Sequence, residues 1–195
     1  MASVPSTMLP LGTRLPAFSL TNAANGRTVT DAEAPGRAGT LVMFICNHCP
    51  FVKHVLPELT RLTGEYQPKG VGVVAINAND GQAYPQDAPP EMKKLVEREG
   101  WQFPFLFDET QAVAKAFHAA CTPDFFVFDR GGRLAYRGQL DDSRPSTNAP
   151  VTGRDLRAAL DAIVAGRPAP AEQQPSIGCN IKWTRGAEPE YFAKR

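Results

Sequence analysis

Thr40-Leu41-Val42-Met43-Phe44-Ile45-Cys46-Asn47-His48-Cys49-Pro50-Phe51-Val52-Lys53-His54-Val55-Leu56 decides how this chain is read. Its first six residues are apolar or β-branched throughout, the pattern of a strand buried on both faces. From Pro50 onward the apolar residues fall at helical spacing, and Leu59 and Leu62 continue the stripe. The two cysteines therefore stand where a strand hands over to a helix. At such a junction the first backbone N–H groups of the helix are unpaired and its dipole is positive. That field favours a thiolate over a thiol, and the thiolate is the reactive form. His48, directly before Cys49, adds positive charge when protonated.

Three chemistries compete for this motif. A structural zinc site wants four ligands, usually a second close cysteine pair. Cys121 and Cys179 are single and distant, and His54 and His118 are the remaining imidazoles. Zinc would therefore need Cys46, Cys49, His54 and one further group. Two inert core cysteines are a second reading, opposed by Pro50 and the helix start. Reversible dithiol chemistry is the third and the strongest, because two thiols this close can pair and the junction activates one of them.

The bulk properties narrow the partners. At 195 residues one domain is expected. The formal net charge of +1 gives no electrostatic case for nucleic acid or an anionic membrane surface. No apolar run approaches the roughly 20 residues that span a bilayer. Met1-Ala2-Ser3-Val4-Pro5 has no basic segment followed by an apolar one, so no secretory signal is expected. The expected location is cytoplasmic, where a disulfide is more often catalytic than structural.

Outward from the dithiol, Gly70 to Ile76 reads as a second buried strand, and the helix between the two, ending near Tyr66 with a kink near Pro57, makes a βαβ crossover. Upstream, residues 1–14 read as a loose lead-in. Leu15 to Leu20 and Arg27 to Thr30 read as strands about an Asn25-Gly26 turn, an N-terminal β-hairpin extension. Downstream, Asn77 to Pro90 is a long turn-rich loop that either caps a site or is plain surface. Then follow a helix over 91–100, a strand over 103–107, a helix over 109–118, and a hairpin of 125–128 with 133–137. A last helix runs over 153–164 and Gly166 stops it. The body of the domain is thus 15–166. Residues 167–195 are a C-terminal extension whose apolar anchors Ile177, Ile181, Trp183, Tyr191 and Phe192 pack on it.

This order, with Cys121-Thr122-Pro123 before the hairpin, resembles the thioredoxin fold: α/β, a central mixed sheet flanked by helices. The combination of Cys46-Asn47-His48-Cys49-Pro50-Phe51-Val52, Cys121-Thr122-Pro123-Asp124-Phe125-Phe126, Tyr136 to Asp142 and Ser176-Ile177-Gly178-Cys179-Asn180-Ile181-Lys182-Trp183 is similar to peroxiredoxin-like and TlpA-like members of that superfamily, the AhpC/TSA-type redoxins. The resemblance implies a thiol–disulfide oxidoreductase without a cofactor or resident metal. Cys46 and Cys49 would be the redox pair, with Cys46, nearer the helix start and more exposed, as the attacking thiol. Thr122-Pro123 would be a cis pair beside them that offers its backbone to an incoming peptide. His48 matches the histidine of the oxidising relatives DsbA and protein disulfide isomerase. By that analogy the potential lies between roughly −120 and −270 mV. Asn47, Cys121 and Cys179 are accessory candidates, the two cysteines as a second redox pair, a relay, or apolar filling. The partner implied is a protein or small-molecule disulfide or thiol.

Two departures from the family pattern bear on the chemistry. The strand Thr40 to Ile45 lacks the buried acid that thioredoxins keep before the dithiol, so a carboxylate must come from elsewhere, or water and His48 must serve. The peroxidatic Pro-x-x-x-Thr-x-x-Cys is also broken, with Val42 and Cys46 at its proline and threonine positions, and the arginine expected before Phe125 is missing. Peroxide is therefore the weaker candidate substrate of a thiol peroxidase reading, which would proceed through a sulfenic acid at Cys49 or Cys46. A module that holds Zn(II), Cu(I) or a partner without turnover is a further alternative.

Overall fold

Val42, Phe44, Val74, Ile76, Phe126 and Phe128 face one side of a central sheet, while Leu41, Met43, Ile45, Val73 and Ala75 face the other. Both faces are covered, which is why these strands are apolar without alternation. The computed structural model describes residues 3–193. In chain order its elements are β1 (Ser3–Pro5), β2 (Ser19–Asn22), β3 (Thr28–Thr30), β4 (Gly39–Phe44), α1 (Pro50–Tyr66), β5 (Val71–Asn77), α2 (Pro89–Glu99), β6 (Phe105–Phe107), α3 (Ala112–Ala116), β7 (Cys121–Thr122), β8 (Asp124–Asp129), β9 (Leu134–Gly138), α4 (Arg154–Val164), β10 (Ile177–Asn180) and α5 (Glu190–Ala193). The main sheet has the order β3-β2-β6-β5-β4-β8-β9. β4 is parallel to β5 and antiparallel to β8, and β5 is parallel to β6. This is the mixed sheet expected of a thioredoxin fold.

Residues of α1, α2 and α4 pack on the first-strand face that carries Leu41 and Met43; Val113 of α3 and Ile181 and Trp183 of the tail pack on the other. On that second face Phe44, Phe117 and Phe126 meet edge to face, with ring centroids 5.3–5.9 Å apart. Such pairs contribute about 0.5–1.5 kcal/mol each beyond their buried area. α1 runs unbroken through Pro57 to Tyr66. A partly buried ionic clamp ties it to α4: Arg157 meets Glu58 at 2.8 Å and Glu65 at 2.6 Å. Among the described residues no helix is long and apolar enough to cross a membrane.

The structure corrects three boundaries. The lead-in is not loose: β1 pairs with β10, Arg14 bridges to Arg133, and Leu9 is buried. The strand expected over 15–20 begins only at Ser19, because Pro16 has no N–H and the Phe18 N–H goes to the Asp31 side chain (3.1 Å). α3 is shorter than its apolar pattern. Gln111 is left-handed before it, and Asp108 accepts the N–H of Ala114 (2.8 Å), which fixes its first turn.

Candidate active site

Cys49 is the N-cap of α1, in extended conformation, and its carbonyl accepts the first helical bond from Lys53 N (3.0 Å). Pro50 suits the first helical position because the N–H it lacks would be unpaired there. Cys46 lies three residues earlier, just beyond the end of β4. The third wall is β7, and the Thr122–Pro123 bond at its end is cis. Thr122 serves both sulfurs: its hydroxyl lies 3.4 Å from Cys46 Sγ and its carbonyl oxygen 3.1 Å from Cys49 Sγ.

The Cys49 thiol is held well below the usual thiol range. Hydrogen bonds from Cys179 and then from Cys46 do most of this. Thr122 and the Val52 N–H add to it, against the cost of burial. The same contact works in reverse on its donors. Cys46 is pushed up by its hydrogen bond to Cys49, by burial, and by the negative charge of Asp87. Cys179 is pushed up by its bond to Cys49 and by burial. As a thiol Cys49 can instead donate to the Thr122 carbonyl. These shifts favour a reduced site in which Cys46 and Cys179 keep their protons and Cys49, at the helix N-terminus, ionises first.

Neither sulfur of the pair reaches the surface. Cys46 and Cys49 are each 0% exposed, which corrects the expectation of an exposed Cys46. The loop after β5 forms one cover. Asp87, itself fully buried, accepts the N–H groups of Asn47 (2.9 Å) and His48 (3.2 Å) and the side chain of Asn79 (2.8 Å), and it also bonds His48 Nδ1. Tyr84 stacks on the His48 ring, centroids 5.6 Å apart. Asp87 thus brings a carboxylate to the Cys46 side of the site from the loop after β5, and Cys49 has no carboxylate partner among these contacts.

The tail forms the other cover. β10 pairs antiparallel with β7, with Cys179 opposite Thr122 and Asn180 opposite Cys121. The backbone edge expected to receive a peptide is therefore already paired. A Cβ on Gly178 would overlap the Thr122 carbonyl, so only glycine allows this approach. The two accessory cysteines part company here. Cys179 joins the dithiol, whereas the Cys121 sulfur lies against the carbonyls of Pro123 (3.6 Å) and Ser176 (3.9 Å). Adjacent strand residues point to opposite faces, which separates Cys121 from Thr122.

As for metal, Cys46, His48 and Asp87 place donor atoms within 4.8 Å of one another. Three donors are one short of a structural zinc set, and the His48 and Asp87 atoms that face each other are already bonded. His54 is not part of that group. It lines a small cleft of its own with Phe51, Pro123 and Arg144.

Known proteins resemble this chain to different depths. A crystal structure of a conserved protein from Geobacillus kaustophilus matches with a TM-score of 0.93 at 57% identity, covering 95% of this chain and 98% of that one. A hypothetical protein from Sinorhizobium meliloti matches with a TM-score of 0.91 at 48% identity, covering 93% and 99%. A thiol-disulfide oxidoreductase ResA from Geobacillus thermodenitrificans is 25% identical over 80% of both chains. Another ResA, from Halalkalibacterium halodurans, is 27% identical over 56% of this chain, and the match spans only 57% of that protein. More distant solved structures, such as a putative thiol:disulfide interchange protein DsbE from Chlorobium tepidum (TM-score 0.56, 20% identity), share the fold. The Redoxin family model matches residues 10–155, a span that holds the dithiol, Asp87 and the cis pair, and the chain belongs to the Redoxin family of the thioredoxin superfamily.

Proposed function

We propose that this protein is a thiol–disulfide oxidoreductase whose redox couple is Cys46–Cys49. The observation that carries this reading is the pair of buried thiols at the start of α1, both in contact with Thr122 of the cis Thr122–Pro123 pair. The names of the ResA relatives support it. In exchange, Cys46 attacks one sulfur of a partner disulfide and passes its proton to the Cys49 thiolate. The partner's other sulfur leaves with the electron pair. Cys49 then gives up that proton to the partner's released thiolate and attacks Cys46 Sγ. The mixed disulfide breaks, the Cys46–Cys49 bond forms, and the partner leaves fully reduced. The reverse sequence oxidises a partner dithiol. Both sulfurs are buried, so exchange needs the cover over them to open.

Reduction of insulin by a thiol-regenerated protein tests this. Cys46→Ser is expected to lose turnover. Cys49→Ser is expected to accumulate a mixed disulfide at Cys46, seen as a mass adduct. Full insulin reduction by Cys46→Ser would overturn the assignment.

A further inference from the structure

We infer that Cys179 is a third redox thiol, which exchanges with the Cys46–Cys49 disulfide to form a Cys49–Cys179 disulfide that locks β10 over the site. The disulfide enters by the exchange proposed above, so the working cycle rests on that reading; the chemistry of the pair does not.

Four observations converge on Cys179. Its ladder partner is Thr122, the residue that touches both other sulfurs. Its side chain is buried in the same cluster as Cys46 and Cys49. Gly178 brings the strand closer to Thr122 than any residue with a side chain could. The strand is also anchored on both sides of Cys179. Upstream, Ser176 donates to the Gly138 carbonyl (2.5 Å) and accepts from Ser6 N (2.8 Å). Downstream, Lys182 N donates to Asn79 Oδ1 (2.8 Å) and the Lys182 carbonyl accepts from Asp80 N (2.8 Å) and Gln111 Nε2 (3.0 Å). β10 occupies the edge where an incoming peptide would pair, so Cys179 stands where such a peptide would present a sulfur.

The step balances within the chain. The Cys179 thiolate attacks Cys49 Sγ; the Cys49–Cys179 bond forms and the Cys46–Cys49 bond breaks. The electron pair leaves on Cys46, which takes up the proton that Cys179 lost. No electron enters or leaves, and Cys46 is free again as a thiol.

The test is disulfide mapping by mass spectrometry after equilibration in glutathione redox buffers, acid quenching and alkylation. In wild-type protein we expect two mutually exclusive links, Cys46–Cys49 and Cys49–Cys179. In Cys46→Ser, and equally in Cys46→Ala, we expect Cys49–Cys179 alone. Wild-type protein that forms only Cys46–Cys49, with Cys179 reduced or glutathionylated throughout, would overturn the inference without reference to any variant's folding. Insulin reduction separates the two claims. Activity without a Cys49–Cys179 link sinks this inference and leaves the oxidoreductase reading standing. The link without activity does the opposite.

Discussion

Asp87 places its carboxylate beside Cys46 while it pins the two backbone N–H groups of the intervening Asn47 and His48. Its negative charge opposes ionisation of Cys46, so its removal should make that thiol more acidic. In Asp87→Asn the pH profile of alkylation at Cys46, resolved by mass spectrometry, should move to lower pH. The rate at neutral pH should rise several-fold. An unmoved or upward-shifted profile would show that the charge of Asp87 does not reach Cys46. Asparagine keeps one oxygen for the backbone donors, but its NH2 faces the Asn79 amide, so the variant also gives up that hydrogen bond. Nothing local in the sequence singles this residue out. It sits among Asp80, Tyr84, Pro85 and Pro89 in a stretch with the composition of any surface loop. The dithiol and the Thr122-Pro123 pair were legible because each carries its meaning in adjacent residues. Asp87 acquires its role only when β5 delivers the loop to the end of β4.

β10 shows the same limit for an element. Ile177-Gly178-Cys179-Asn180 has no alternation, contains glycine, and follows a proline-rich stretch, so its composition argues against a strand. What makes it a strand is the vacant edge of β7 on one side and β1 on the other. β4 and β5 needed no such help, because a strand covered on both faces announces itself as an apolar run. The dependence of β10 on its neighbour has a consequence at Gly178. In Gly178→Ala the new Cβ overlaps the Thr122 carbonyl and the adjoining backbone, and no flexible side chain is there to yield. The strand must move off β7. Overpacking of this kind costs about 1–3 kcal/mol. Hydrogen exchange should show the Cys179 amide losing protection, with the amides of β4 unchanged. Retained protection would mean that the β7–β10 ladder tolerates the extra atom and that the close approach is not needed.

Across the whole molecule the order of the main-sheet strands and of α1 to α4 followed from the sequence because their junctions are marked locally, by an apolar run, a turn former or a helix start. The tie between the sheet and the last helix is not marked in this way. Asp141, just beyond β9, reaches forward to the N-terminus of α4. It accepts the N–H groups of Thr152 (2.6 Å) and Gly153 (2.7 Å), as well as the hydroxyl and N–H of Ser143. In the sequence Asp141 is one of two adjacent aspartates in a polar stretch, and its neighbour Asp142 is exposed. Burial opposes ionisation of Asp141. The hydrogen bonds from Ser143, Gly153 and Thr152 outweigh it and hold the carboxyl below its ordinary value of 3.8. A carboxyl depressed in the folded state contributes stability that is complete above the unfolded value and is lost as the pH falls through the folded one. Asp141→Asn replaces one acceptor oxygen by an NH2 that confronts these donors. Leaving buried donors unpaired costs about 1–3 kcal/mol. Urea unfolding at neutral pH should show that loss. The gap between wild type and variant should hold down to about the ordinary aspartate value and then close below it. A gap that is constant across the acid range would mean that Asp141 acts through its shape and not through its charge.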